Sequence, residues 1–126
     1  MKKLIMLLVL FLLVAFTNKS TQNPWPVPDA QKAKANPVKG EIAKGQALYN
    51  QHCKSCHGSK GKGDGPKASQ LDTDSGDFTK ASFQSQTDGS LFYKVYQGRK
   101  DMPSYKVKIP ESTDIWAVVN YMRTLK

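Results

Sequence analysis

All the cysteines and histidines of this 126-residue chain lie in one stretch of 17 residues, NQHCKSCHGSKGKGDGP, from Asn50 to Pro66. The residues before it, from about Glu41, have helical character. In a helix that continues through the stretch, Cys53, Cys56 and His57 project from one face, within about 100° of arc. The chain must therefore fold so that two thiols and one imidazole share one surface.

Residues 1–20 form a segment of their own. Two lysines precede an apolar run of 13 residues, from Leu4 to Phe16, which is shorter than the ~20 residues of a membrane-spanning helix. A basic start, a short apolar run and a polar exit predict a secretory signal peptide. Because no small-x-small cleavage triplet follows, an uncleaved N-terminal anchor stays open. We expect the rest to be exported, to the periplasm or the outer face of the cytoplasmic membrane.

Residues 21–40 are rich in proline, with Pro24, Pro26, Pro28 and Pro37. Proline at this density opposes both helix and sheet, so the segment is predicted to be an extended arm. Its apolar residues Trp25 and Val27 would dock the arm on the domain or anchor a partner. A mobile tether with incidental apolar residues is the alternative.

Four interpretations of the cysteine stretch compete. A disulfide between Cys53 and Cys56 is the default in an oxidising compartment. Zinc would draw on His52, Cys53, Cys56 and His57, but four ligands inside six residues cannot easily surround one ion tetrahedrally. A thioredoxin-like dithiol would follow a buried strand, and the residues upstream are helical in character. The fourth is covalent haem c, for which C-x-x-C-H is the attachment signal, with His57 as an axial ligand of the iron.

One axial position of that iron would remain to be filled. No histidine lies outside the stretch, and Met122 belongs to a terminal helix. Met102, in GRKDMPSYKV, is followed by Pro103, which stiffens an extended loop. Met102 is therefore the candidate second ligand. The alternative is a core methionine beside a five-coordinate iron.

The GDGP sequence after the cysteines supplies a candidate partner for the His57 ring. A metal-bound histidine needs its other ring nitrogen held. The backbone carbonyl of Pro66 can accept the proton on His57 Nδ1, and the glycines allow the loop a close approach. An ordinary Gly/Pro turn is the alternative.

The remaining sequence favours helices and offers few strand signals. TDGSLFYKVYQG has Asp88 as a possible N-cap and Gly98 as a C-terminal stop. PESTDIWAVVNYMRTLK repeats its apolar residues with the helical spacing i, i+3, i+4, i+7, starting at Ile115. The folded region would contain only some 80 to 90 residues, a size at which a cofactor often supports the core. The loop SQLDTDSGDFTKASFQSQ carries no motif that we can assign.

These pieces, GQALYNQHCKSCHG, GDGP, GRKDMPSY and IWAVVNYMR, occur in the order typical of a family. From about Ile42 to Lys126 the chain resembles a class I c-type cytochrome of the short, single-haem bacterial kind. The resemblance implies an all-α domain, residues 41–126, with about four helices around one covalent haem. It also implies that Gly45 and Tyr49 of the first helix face Val118 and Tyr121 of the last. The implied site residues are Cys53 and Cys56 for the thioethers, His57 and Met102 for the iron, and Pro66 for the hydrogen bond to His57.

The function expected from this resemblance is one-electron transport with His/Met ligation in an exported respiratory chain, and not catalysis. The alternative is the haem subunit of a membrane-bound oxidase or dehydrogenase complex. An open-iron haem protein and a dithiol oxidoreductase are the other classes considered.

The formal net charge is +9, and a basic rim near the haem would steer acidic redox partners, or else be a solvated surface without a partner. Nucleic acid is not an expected partner. The basic residues of the haem-bearing segments are Lys54, Lys60, Lys62, Lys67, Lys94, Arg99, Lys100, Lys106 and Lys108.

Overall fold

The computed structural model describes residues 24–126, and the predicted signal peptide or anchor, residues 1–20, lies outside them. Within the described part the chain is helical and has no strand, only an isolated bridge between Arg99 and Met102. No described helix has the length and apolar character needed to cross a bilayer. The α-helices are α1 (Asp29–Lys32), α2 (Ile42–His52), α3 (Lys54–His57), α4 (Ala81–Gln84), α5 (Asp88–Gln97) and α6 (Ser112–Met122), with a 3-10 turn at Ala68–Gln70.

The packing of α2 across α6 is the largest contact between helices. Gly45 allows it, because a Cβ at this position would lie 2.0 Å from the Ala117 carbonyl oxygen. Four residues later Tyr49 is fully buried, and its ring centroid is 5.1 Å from that of Tyr121. The predicted crossing of the first and last helices is therefore present, with Ala117 at its closest point.

Helix α5 packs its apolar face against α6. The rings of Phe92 and Trp116 stack with centroids 4.2 Å apart. The N-cap of α5 is Thr87, whose hydroxyl accepts the Ser90 N–H at 3.2 Å, rather than the expected Asp88. Asp88 instead accepts from Arg123 at the end of α6, at 2.7 and 2.9 Å. This charge-assisted pair joins the start of one helix to the end of the other.

The Pro-rich segment is not wholly extended, because one turn of helix, α1, interrupts it. Pro28 precedes this turn, a place where the missing N–H of proline costs little. The arm lies on the domain, since a Cβ at Gly89 would meet the Gln31 carbonyl oxygen at 2.1 Å. The expectation that prolines exclude helix from residues 21–40 is therefore wrong at Asp29–Lys32.

An asparagine pair fastens the end of the arm to α6. Asn36 Nδ2 donates to Asn120 Oδ1 at 2.7 Å. Asn120 in turn donates to the carbonyls of Val38 at 2.9 Å and Gly40 at 2.8 Å. Together with the contact at Gly89, these bonds make residues 29–40 part of the domain surface.

The beginning of the arm is held by an aromatic ring. Trp25 is half-buried, with Lys94 Nζ 5.6 Å and Arg99 Cζ 5.8 Å from its ring centroid. Cations over an indole are attracted by the negative face of the ring. Of the alternatives for Trp25, the structure shows docking on the domain.

Candidate functional site

The cysteine stretch lies where α2 ends and α3 begins. The predicted continuous helix is broken at Cys53, whose φ and ψ are −115° and −36°. The carbonyl of His52 accepts the Tyr105 hydroxyl at 2.7 Å, and the Cys56 N–H turns to the Cys53 carbonyl at 3.1 Å. The break follows because a carbonyl that would continue α2 is bound from outside the helix.

The loop that contains Pro66 wraps around α3. The N–H groups of Gly63, Gly65 and Lys67 donate to the carbonyls of His57, Cys56 and Ser55, at 2.9, 3.1 and 2.8 Å respectively. A Cβ at Gly65 would lie 2.4 Å from the Ser55 carbonyl oxygen, which explains the glycine at this position. The GDGP sequence therefore holds its loop against the residues of the C-x-x-C-H motif.

The His57 side chain is half-buried, and its Nδ1 atom is buried without a hydrogen-bond partner in the structure. Its ring lies 4.6 Å, centroid to centroid, from that of Phe78. Burial lowers the pKa of His57, while a hydrogen bond with the backbone of Ser75 acts in the opposite direction. A neutral imidazole is the form that binds iron, and the Nδ1 atom is free for the bond to Pro66 that the sequence predicts, which stays a prediction.

Both cysteines are free thiols, Cys53 buried and Cys56 half-buried. Burial raises the pKa of Cys53 to about 12. A redox-active dithiol needs at least one thiol with a lowered pKa, because the thiolate is the nucleophile. The environment of Cys53 is therefore opposite to that of a dithiol oxidoreductase.

Met102 lies at the end of a tight turn that begins at Arg99. These two residues exchange backbone hydrogen bonds of 2.8 and 3.0 Å, and Lys100 between them has a φ of +53°. A side chain in this left-handed region costs about 1–2 kcal/mol, and such strain is often found at functional sites. Gly98 precedes the turn, where a Cβ would lie 2.5 Å from the backbone of Pro103.

The residues that follow Met102 fix the turn to its surroundings. After Met102, Ser104 Oγ donates to the Tyr96 carbonyl at 2.7 Å, and the Tyr105 N–H donates to the Val95 carbonyl at 3.2 Å. The Tyr105 hydroxyl reaches the carbonyl of His52, beside the first cysteine. Met102 itself is half-buried against the core, whereas Met122 is a buried member of it.

These residues fit one covalent haem better than the other cofactors considered. The donor set consists of two free thiols, a buried imidazole with an unpartnered nitrogen, and a half-buried thioether on a rigid turn. In residues 24–126 no three His, Cys, Asp or Glu side chains converge as metal ligands do.

Sequence reasoning missed several residues that shape the site. Tyr105, Asp101 and Thr73 all make hydrogen bonds across long separations in the chain. The one local signal among them is the tyrosine three residues after Met102. Nothing in the sequence pairs Thr73 with Asp101.

Comparisons with known proteins return a family model and similar solved structures. The family model described as cytochrome c matches residues 42–126. A solved structure of the Kuenenia stuttgartiensis reducing HAO-like protein complex Kustc0457/Kustc0458 is similar at 25% identity, with a TM-score of 0.64, over 84% of this chain and 52% of that one. The c-type cytochrome KustC0563 is similar at 26% identity, with a TM-score of 0.56, over 65% of this chain and 96% of that one. No curated protein gives a significant sequence match.

The two structural matches differ in extent. This chain spans about half the length of the chain it matches in the complex. That match covers 84% of the 126 residues, more than residues 42–126 contain, so it includes part of the N-terminal segment. The match to KustC0563 covers about as many residues as the helical domain alone.

Proposed function

The chain belongs to the cytochrome c family, and from this premise we propose that it is a one-electron carrier whose iron is bound by His57 and Met102. The family carries haem c covalently and transfers electrons rather than catalysing a reaction, and the C-x-x-C-H motif agrees with this. Haem c, when bound, supplies an iron that gains and loses one electron. The further parts that we propose are the ligand pair of the iron and an exported location.

Each site residue has a stated part in this proposal. Cys53 and Cys56 hold the haem through thioethers, so it stays with the chain in both oxidation states. His57 would bind the iron as a neutral imidazole, and its Nδ1–H would donate a hydrogen bond to the Pro66 carbonyl. Met102 binds as a thioether, which favours ferrous iron and raises the reduction potential.

The observation that carries the ligand assignment is the turn around Met102. A strained Lys100, a glycine that only fits without a side chain, and the two backbone bonds between Arg99 and Met102 fix the position of one half-buried thioether. A surface loop without a bound partner for its methionine has no need of such rigidity. Met122, by contrast, is 4% exposed and belongs to the core.

A spectrum of the haem-loaded protein tests this assignment. The oxidised wild type should show the weak far-red band of His/Met haem. Met102→Ala should abolish the band, lower the reduction potential and allow cyanide to bind readily, because it removes the thioether. Met122→Leu is the matched control, a near volume-conserving change expected to cost under ~1.5 kcal/mol. If neither variant alters the spectrum, or if only Met122→Leu does, Met102 is not the ligand.

A second candidate function is a subunit of a larger redox complex. It is favoured by the structural match that extends into the arm, since the matched protein is part of a protein complex. The complex would be a membrane-bound oxidase or dehydrogenase. Recovery of the protein as a monomer in the soluble exported fraction would support the free carrier, and co-purification with a larger redox enzyme the subunit.

Export and acidic partners are further parts of the proposal. The basic start and short apolar run of residues 1–20 support export, and mass spectrometry of the mature N-terminus would tell a cleaved signal from a retained anchor.

The basic rim supports acidic partners, with one refinement from the structure. Lys94 and Arg99 lie on Trp25, and Lys108 lies 5.6 Å from the ring centroid of Tyr105. Their charges are therefore held in place by aromatic rings.

A further inference from the structure

The segment Asp72–Phe78, hereafter the strap, lies in the loop to which the sequence assigned no role. Near one end of the strap, both the backbone N–H and the hydroxyl of Thr73 donate to Asp101 Oδ2, at 2.9 and 2.7 Å. Asp101 directly precedes Met102. The strap is therefore bonded to the turn that carries the proposed second ligand of the iron.

The other end of the strap lies beside His57. Phe78 is buried, and its ring is in contact with the His57 ring. Its N–H donates to the carbonyl of Gly61 at 2.7 Å. The backbones of Gly63 and Gly76 also touch, because a Cβ at Gly63 would lie 2.5 Å from the Gly76 carbonyl oxygen. This end is fixed to the loop that follows the C-x-x-C-H motif.

Local hydrogen bonds fix the shape of the strap between its ends. The Gly76 N–H donates to Asp74 Oδ1 at 2.8 Å. Just after the strap, the N–H and hydroxyl of Thr79 donate to Asp77 Oδ1 at 2.9 and 2.6 Å. Such side-chain bonds to nearby backbone groups hold a turn in one conformation. Because the shape of such a short segment is fixed, the position of one end determines the position of the other.

We propose that the strap sets the position of Met102 relative to His57, with Thr73 and Asp101 as positioning residues. This inference rests on the proposed His57/Met102 ligation. Tyr105 ties the turn to His52 on the α2 side, and the Thr73–Asp101 pair ties it to the His57 ring through Phe78. Without the pair, the strap no longer holds the turn, whereas Ser104 and Tyr105 still bond it to α5.

The expected effect follows from the two hydrogen bonds that Asp101 accepts. Bonds to a charged acceptor contribute more than neutral ones, but these lie at the surface, where water competes. We expect loss of the pair to raise the population of conformations in which Met102 has moved away from the iron. The rate at which an added ligand binds the iron should rise with it, by about threefold to tenfold. Global stability should change little, because no core contact is lost.

The experiment uses the haem-loaded full chain and cyanide as the probe. Thr73→Val and Asp101→Ala should both speed the loss of the far-red band on addition of cyanide. Asp101→Asn keeps an acceptor oxygen and should restore most of the wild-type rate, which separates the hydrogen bond from the charge. The matched control is Thr79→Val, because it removes a similar hydroxyl–carboxylate bond just beyond the strap and away from Met102, and leaves the bond from the Thr79 N–H to Asp77 in place.

Two further measurements complete the test. The Thr73 amide should exchange its hydrogen faster in Asp101→Ala than in the wild type, while the urea midpoints of Thr73→Val and Thr79→Val stay alike.

Equal cyanide rates in all variants, with the wild-type band present, would overturn the strap proposal alone. A wild type without the far-red band would overturn the ligation and, with it, the positioning role. A Thr73 amide that is as protected in Asp101→Ala as in the wild type would also overturn the inference.

Discussion

Gly45→Ala sets two physical effects against each other at the crossing of α2 and α6. Gly45 is inside a helix and its φ is negative, so alanine should favour the helix by about 1 kcal/mol. The same Cβ would lie 2.0 Å from the Ala117 carbonyl oxygen and 3.1 Å from Tyr121 Cβ. Helix propensity predicts a more stable protein, and packing predicts a less stable one.

The geometry decides which effect is larger. Ordinary Cβ contacts are 3.4–4 Å, so the two backbones would have to separate by more than ~1 Å locally. The atom in the way is a backbone oxygen, which no rotamer change can move. Overpacking of this kind costs typically about 1–3 kcal/mol, and we place this case at the upper end. After the gain in propensity, the net loss should be about 2 kcal/mol, or roughly 8–16 °C in Tm for a domain of this size.

Urea unfolding of the haem-loaded protein, followed by far-UV circular dichroism, measures the loss. The midpoint should fall while the slope stays constant, since the change acts on the native state. Gln46→Ala, at the exposed neighbouring position, is the control and should change stability by less than ~0.5 kcal/mol. A Gly45→Ala protein more stable than the wild type would show that the helices do not approach as closely as described.

Three further outcomes are expected. Cys53→Ala combined with Cys56→Ala should leave little cooperative structure, because a core of under ~90 residues is marginal without its cofactor, and a sharp thermal transition in that variant would contradict this. Asn120→Ala removes the donor to Val38 and Gly40, so limited proteolysis should cut the arm about fivefold faster. This factor corresponds to a loss of ~1 kcal/mol in the free energy that holds the arm on the domain, and an unchanged rate would show that these bonds do not hold the arm. Electron exchange with an acidic partner protein should slow as salt rises to physiological strength, where charges are screened beyond ~8 Å, and a constant rate would count against the basic rim.

The parts of the fold that the sequence predicted depend on short-range patterns. Apolar spacing from Ile115 indicated α6, and Gly98 marked the end of α5. The crossing at Gly45 followed from the resemblance, because a small residue and a tyrosine four positions apart lie on the same helix face. These inferences hold because a local pattern and the tertiary contact require the same residue.

The parts that the sequence did not predict depend on bonds between distant residues. The break at Cys53 arises from Tyr105, which lies far along the chain and bonds the carbonyl of His52. The link between Thr73 and Asp101 spans 28 residues, and neither side chain has a spacing that indicates the other. A hydrogen bond of this kind is chosen by the folded backbone and leaves no periodic signal in the sequence.

The docked arm changes what a retained N-terminal anchor would do. A free tether of about 20 residues would let the domain range over roughly 25 Å. The arm instead lies on α5 and α6 from Trp25 onward, so these residues would not add to the length of a tether. Trp25 lies beside Arg99, the first residue of the turn that carries Met102. A retained anchor would therefore join the domain beside the turn that carries Met102, and cleavage would remove that attachment.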